Sequence, residues 1–289
     1  MAAPIQKLCH DVSGFISTAA LTPYDIIKRT GELKGAIIVV NHDFSQGILR
    51  FVLRSSEAIT RIHKIIPTIQ ANHPWVQVVS CNIQSLPAAI LEGPEEIILT
   101  STTSIQERYG ETSVFFSPQS FMQVTHEVAK NLYDTAATYV RSRRFSTALD
   151  LFCGVGGFSF SIAPFVKEVV GVELSKDAIQ SAIRAAPLNS CPAPSFYAAD
   201  VEHFLNTEKL DGVDLVVTNP PRRGLSEGII EKLKKIQPAS ILYSSCNPET
   251  FARDMQLIRS HTSYQLTSLR AFDMFPLTSH WELLGTIEL

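Results

Sequence analysis

The sequence predicts an α/β protein: a doubly wound, mainly parallel sheet in the C-terminal part, preceded by a smaller α+β unit. Three observations predict it. From about residue 112 onward, short apolar runs alternate with stretches of helical periodicity. Glycine, acid and proline motifs fall at the ends of those apolar runs. Before residue 112 the pattern is different, with β-branched runs separated by polar turns.

The 289 residues are enough for two ordinary domains, and the expected division is 1–111 and 112–289. With 45% hydrophobic and 18% charged residues, the composition is that of a chain with a packed core and not of a disordered one. No run of 18 apolar residues is present, so no membrane span is expected. The first residues carry no charged-then-apolar leader pattern, which points to the cytoplasm. The five cysteines, Cys9, Cys81, Cys153, Cys191 and Cys246, are dispersed and form no C-x-x-C pair. Free thiols are expected, and no metal site made by this chain. A net charge of −3 disfavours nonspecific nucleic-acid binding, although Lys28 to Lys64 carries seven basic against three acidic residues. That segment suits either a solvated face or a surface that meets phosphates.

In the N-terminal part, residues 36–42 and 48–54 read as a hairpin around the polar loop 43–47. A helix is expected over 56–66, and strands over 76–82 and 96–99. In the C-terminal part a long amphipathic helix is expected over 126–141. Strands then alternate with helices: 147–151, 158–164, 168–172, 176–186, 196–199, 215–218, 227–236, 240–244 and 249–259. The tail, 264–272 and 281–289, leaves no room for a crossover helix, so its two strands should pair antiparallel.

The run from Asp150 to Phe158, Asp-Leu-Phe-Cys-Gly-Val-Gly-Gly-Phe, sits where a strand gives way to a helix. Gly154 and its fellow glycines let backbone approach a ligand. The spacing departs from the dinucleotide fingerprint, which disfavours a nicotinamide cofactor. Glu173, at the tip of the next strand, is placed to accept from two ribose hydroxyls. Asp200, read as the end of the third strand, can accept from an adenine amino group. Three strand ends in order describe an adenosine pocket, whereas each acid alone reads as a solvated loop residue.

Two motifs follow. Asn219-Pro-Pro-Arg-Arg-Gly is a stiff loop in which Asn219 can donate and accept at a planar group, and Arg222 and Arg223 offer forks for phosphate or a carbonyl. Tyr243-Ser-Ser-Cys-Asn-Pro places Cys246 just before a helix start, where the dipole favours thiolate. A thiolate, a base and a cation suit addition to C6 of a pyrimidine, which makes C5 nucleophilic. Glu282, in an apolar strand, is the expected base because desolvation raises its proton affinity, and His280 is its rival.

These motifs, with Ser117-Pro-Gln-Ser-Phe-Met-Gln123 and Phe272-Asp-Met-Phe-Pro followed by His280-Trp-Glu, resemble the RNA uracil-C5 methyltransferases over nearly the whole chain. Within that family the residues 21–25, 29–34 and 49–55 are similar to the bacterial members that act on 23S ribosomal RNA. The resemblance implies a Rossmann-like class I S-adenosylmethionine-dependent methyltransferase fold with a smaller α+β N-terminal domain. It implies that Gln123, Phe152, Glu173 and Asn219 contact S-adenosylmethionine, that Cys246 is the nucleophile, and that Glu282 accepts the proton. Ribosomal RNA is the implied partner, with the protein acting as a monomer. The subgroup carries an iron–sulfur (4Fe–4S) cluster on an N-terminal cysteine segment whose cysteines are absent here, and Cys9 falls in an expected helix. Thr125 and Met122 replace the family's usual asparagine and aromatic residue. Two other readings remain open: an N-methyltransferase on an exocyclic amine, in which Cys246 has no part, and a catalytically silent RNA-binding module.

Overall fold

The computed structural model describes residues 3–87, 90–260 and 262–289. The chain divides into two compact units, Met1–Glu107 with Phe116–Gln119, and Arg108–Phe115 with Ser120–Leu289.

The first unit runs α1 (Ala3–Thr18), β1 (Leu33–Val40), β2 (Gly47–Leu53), α2 (Ile59–Asn72), β3 (Val76–Ile83) and β4 (Glu95–Ile98). Its sheet has the order β1-β2-β3-β4. The β1–β2 hairpin is antiparallel as expected, and α2 is the crossover that makes β2 and β3 parallel. Leu49, Phe51 and Leu53 of β2 face the helices and pack on Leu8, Val12 and Phe15 of α1 and Ile62, Ile65 and Ile69 of α2. The helix expected to stop at Ile66 continues through Pro67 to Asn72. Proline removes one N–H from the ladder, but burial of Ile69 on the same stripe outweighs that loss. Arg50 alternates to the other face of β2 and is buried. It holds Glu96 at 2.5 Å and Glu92 at 2.6 Å.

A two-stranded hairpin, β5 (Ile105–Tyr109) and β6 (Thr112–Phe116), was not expected from the sequence. Its strands are short, and the expected division after residue 111 falls in its turn beside Gly110, whose φ is +61°.

The second unit contains α3 (His126–Arg141), β7 (Thr147–Leu151), α4 (Gly157–Ile162), β8 (Glu168–Glu173), α5 (Lys176–Ala185), β9 (Ser195–Ala198), α6 (Val201–Thr207), β10 (Leu215–Thr218), α7 (Glu227–Ile236), β11 (Ser240–Ser245), α8 (Pro248–Arg259), β12 (Gln265–Phe272) and β13 (Glu282–Glu288). The sheet order is β12-β13-β11-β10-β7-β8-β9. From β7 the chain builds outward through β8 and β9, then returns to the other side of β7 with β10 and β11. The carboxyl ends of β7 and β10 therefore flank a topological switch point, where α/β sheets bind ligands. The tail strands pair antiparallel, as expected, with β13 inserted between β11 and β12.

Registered neighbours share a face, which sorts the sheet's central residues into two groups. Leu149, Leu151, Val216, Ile241, Tyr243, Leu283 and Ile287 belong to the apolar cluster that also contains Phe204, Ile230 and Phe251 of the helices. Asp150, Val217, Leu242, Ser244 and Leu284 fall on the opposite face.

Replacing Arg50 strands two carboxylates. Arg50→Ala is expected to lower unfolding free energy by about 3 kcal/mol, read as a shifted urea midpoint. An unchanged midpoint would show the pair to be energetically idle.

Candidate active site

Beyond β7 the backbone turns sharply, with positive φ at Phe152 (+61°), Gly154 (+54°) and Gly156 (+89°). Phe152 tolerates this costly conformation because its ring packs against the apolar cluster. At Gly156 a side chain has no room, since a Cβ there meets Phe160 at 2.9 Å and Phe196 at 3.1 Å. At Gly154 the space is open. The Gly154 N–H donates to Glu173 Oε2 at 3.3 Å, and the Ser175 N–H to Glu173 Oε1 at 2.9 Å. The acid at the tip of β8 is thus locked, and each oxygen keeps a lone pair for a further donor.

Asp200 is not the last residue of its strand. β9 ends at Ala198, and Asp200 caps α6, accepting from the His203 N–H at 2.9 Å. The reading from sequence placed the strand end two residues late, at the residue that caps the next helix. Asp200 is exposed at the carboxyl edge, with one oxygen committed to the cap.

The buried polar atoms without a hydrogen-bond partner among the described residues include Gln123 Oε1, Asp150 Oδ1 and Thr218 Oγ1. Leaving such an atom unpaired costs about 1–3 kcal/mol, so each of these oxygens is suited to receive a further polar group. Asp150 is fully buried, takes the Ser159 hydroxyl at 2.6 Å on its other oxygen, and is pushed by burial up to about 7. Gln123 lies just before α3, in a segment tied down by the Thr125 hydroxyl donating to the Met274 carbonyl at 2.9 Å. Tyr133 of α3 has its phenol raised by burial and then by the charges of Asp150 and Glu282, so it stands near both.

The loop after β10 is clipped onto the start of α8. Asn219 donates its N–H to the Leu151 carbonyl at 3.3 Å. The Arg222 carbonyl accepts from Asn247 Nδ2 at 3.1 Å and from the Thr250 hydroxyl at 3.3 Å. Fully buried Asp254 accepts from the Leu225 N–H at 2.8 Å and the Tyr243 hydroxyl at 2.6 Å. Arg253 pairs with the other Asp254 oxygen at 2.6 Å and reaches the Arg223 carbonyl at 2.9 Å. This clip sets the Arg222 guanidinium against the Cys246 thiol, where it favours thiolate. The Arg223 residue is exposed, and only its carbonyl is engaged with these elements.

Cys246 directly follows β11 and is half-buried. Burial raises its proton affinity, as does the Glu282 charge, and Arg222 offsets only part of this. Desolvation is the largest of these influences, and the thiol's proton affinity stays above its ordinary value. Glu282 opens β13. The ladder pairs Ser244 with Leu284 and Ser245 with Leu283, so the next position sets Cys246 opposite Glu282. Glu282 is 2% exposed, accepts the Ser244 hydroxyl at 2.5 Å, and is pushed by burial up to about 7. Its rival His280 is exposed and lies edge-on to Phe275 at 6.3 Å.

The family described as tRNA (uracil-5-)-methyltransferase matches residues 98–287 of this chain. Proteins of Shewanella sp. (strain W3-18-1) and Shewanella putrefaciens, each named 23S rRNA (uracil(747)-C(5))-methyltransferase RlmC, are 40% identical over 284 residues, covering 98% of this chain and 72% of theirs. The chain belongs to this family. Its members are the S-adenosylmethionine-dependent RNA uracil-C5 methyltransferases. The solved tRNA (uracil-54, C5)-methyltransferase of Pyrococcus abyssi, in complex with S-adenosyl-L-homocysteine, is similar with a TM-score of 0.78 at 25% identity. That match covers 96% of this chain, which spans 65% of the length of the solved enzyme. Trm5b of the same organism shares the fold, with a TM-score of 0.55 at 14% identity over 88% of this chain and 74% of its own.

The donor set fits S-adenosylmethionine. Glu173 suits ribose hydroxyls, and the unpartnered Asp150 and Gln123 oxygens suit its ammonium. Gln123 and Phe152, which only the family resemblance had singled out, lie in the same unit as the glycine turn. Among the described residues the cysteines do not gather into a set that could hold an iron–sulfur centre. The five cysteines are free and sit on α1, on β3, after β7, before β9 and after β11, which is no cluster-binding set. Asp150, Tyr133, Ser244 and Asp254 were given no function in the sequence. Two-residue alternation from Cys246 was a usable signal for Ser244, whereas nothing local marks Asp254.

Burial of Glu282 has a sign that can be checked. Its folded proton affinity lies above the ordinary value of 4.5, so stability is fully present below about 4.5 and declines as pH rises through about 7. Glu282→Gln should therefore be more stable than the parent at pH 8, by on the order of 3 kcal/mol, with the gain shrinking toward pH 5. Thermal unfolding across that range reads it, and a pH-independent difference would contradict it.

Proposed function

We propose that this chain methylates C5 of a uridine in 23S ribosomal RNA, at a site of the uracil-747 type, through a transient bond between Cys246 and C6. The observation that carries this reading is the charge of Glu282 acting on the Cys246 thiol, one position beyond the Ser245–Leu283 pair, with Arg222 at the same thiol. The names of the Shewanella relatives support the choice of RNA. No helix among the described residues is long and apolar enough to cross a membrane, which is compatible with a cytoplasmic ribosomal substrate.

Bound S-adenosylmethionine supplies an electrophilic methyl group. Glu173, Asp200, Asn219 and Gln123 hold it at the carboxyl edge of the sheet, with Phe152 and Gly154 shaping the turn beneath it. Arg222 lowers the cost of ionising Cys246, whose sulfur adds to C6 and shifts the ring electrons to C5. C5 would take the methyl group as its bond to the sulfonium breaks, leaving S-adenosyl-L-homocysteine to dissociate. Glu282 then takes the C5 proton, the C5=C6 bond re-forms, and the C6–S bond breaks to return the thiolate. Burial suits Glu282 to this step, because an acid near neutrality is both ionised and basic enough to accept a proton. The uridine must leave its stack to reach Cys246, which favours a loop or bulge in the RNA.

RNA carrying 5-fluorouridine tests the nucleophile. Fluorine cannot leave as a proton, so a covalent protein–RNA adduct should accumulate at Cys246 and be absent from Cys246→Ala. Methylation of ordinary RNA by Cys246→Ala at the parent rate would instead support transfer to an exocyclic amine. Release of methylated RNA from the adduct should rise with pH through about 7, following Glu282, and Glu282→Gln should slow that release by about 10³-fold.

A further inference from the structure

We propose that Ser244 is a positioning residue for the methylation reaction: its hydroxyl fixes one oxygen of Glu282 so that the other faces the C5 proton. This rests on the reading of Glu282 as the base. Ser244 is fully buried on β11, an interior strand held by β10 on one side and β13 on the other. It shares a face with Cys246 and Glu282 by two-residue alternation and by register. An ionised carboxylate only accepts, so the 2.5 Å contact is the Ser244 hydroxyl donating to Glu282 Oε1. That leaves Oε2 for the substrate.

The arrangement addresses a specific problem. Glutamate has three side-chain torsions, and a base must hold its lone pair on the proton it removes. Glu282 is the first residue of β13: it pairs with Phe272 of β12, and the pairing with β11 starts one residue later at Leu283. A short bond from a residue on a rigid strand removes the remaining freedom. Ser245 does not share the task. It alternates to the other face and exchanges hydrogen bonds with the Asn247 backbone at 3.1 and 3.2 Å.

Proton removal then runs without rearrangement. The C5–H bond breaks, a new O–H bond forms at Oε2, and the released pair restores C5=C6 as the C6–S bond breaks. Ser244 keeps its own proton throughout. The ionisable groups around Glu282 are Tyr133 from α3, Cys246 after β11 and, beyond the thiol, Arg222 from the loop after β10. None of them supplies the bond that Ser244 makes.

The test compares Ser244→Ala, Ser244→Thr and Glu282→Gln in full-length protein with S-adenosylmethionine and a 23S ribosomal RNA fragment. Ser244→Ala should still form the Cys246 adduct with 5-fluorouridine RNA at the parent rate, with KM for cofactor and RNA unchanged. Its kcat should fall about tenfold, the worth of one charge-assisted hydrogen bond. The acid limb of its pH profile should move to higher pH, because the lost donor favoured the carboxylate. Ser244→Thr, which keeps the hydroxyl, should restore both. If Ser244→Ala fails to fold, Ser244→Cys keeps the volume with a weak donor and should show the same changes. A parent-like kcat and pH limb in these variants, with Glu282→Gln accumulating methylated adduct, overturns the role of Ser244 and leaves the base intact. Failure of Glu282→Gln to accumulate that adduct overturns both.

Discussion

The site depends on one backbone pairing: the antiparallel ladder between β11 and β13. β11 belongs to the parallel sheet and delivers Cys246 at its carboxyl end. β13 runs the other way and starts where β11 stops, so its first residue, Glu282, comes level with Cys246. A parallel neighbour would have brought its carboxyl end to the same edge, together with a loop of its own. The antiparallel insertion instead brings in the start of a strand, whose side chain is held by a ladder from its first residue onward. Arg222 is positioned by a different device, the Asp254 clip between the proline loop and α8.

This arrangement loads one face of the sheet with groups that resist burial. Asp150 and Glu282 are both pushed up to about 7, the Cys246 thiol is raised as well, and Tyr133 stands near both acids. The opposite face is apolar and closed by α6, α7 and α8. The division explains how one sheet serves two purposes: one side supplies the hydrophobic burial that holds the fold. The other keeps acids near neutrality, where proton transfer works but stability is diminished.

Much of the architecture was legible in the sequence. The alternation of strands and helices after residue 112, the antiparallel tail and the N-terminal hairpin follow from local periodicity, and the structure contains them. Gly154, Glu173, Asn219, Cys246 and Glu282 were visible because each falls at a strand end with an unusual neighbour. The misreadings were local too. The helix read over 56–66 runs on to Asn72, Asp200 was read as a strand end but caps a helix, and the β5–β6 hairpin was not read.

By itself, the sequence determined the fold class and singled out the glycine turn, Cys246 and Glu282 as candidates, since these reside in residue type and short-range order. Only the tertiary structure decided that Cys246 faces Glu282, that Ser244 holds it, and that Arg222 rather than Arg223 meets the sulfur. Those relations join segments 20 to 40 residues apart through strand register and a buried carboxylate. Register and burial are properties of paired strands and packed helices, and no single segment carries them.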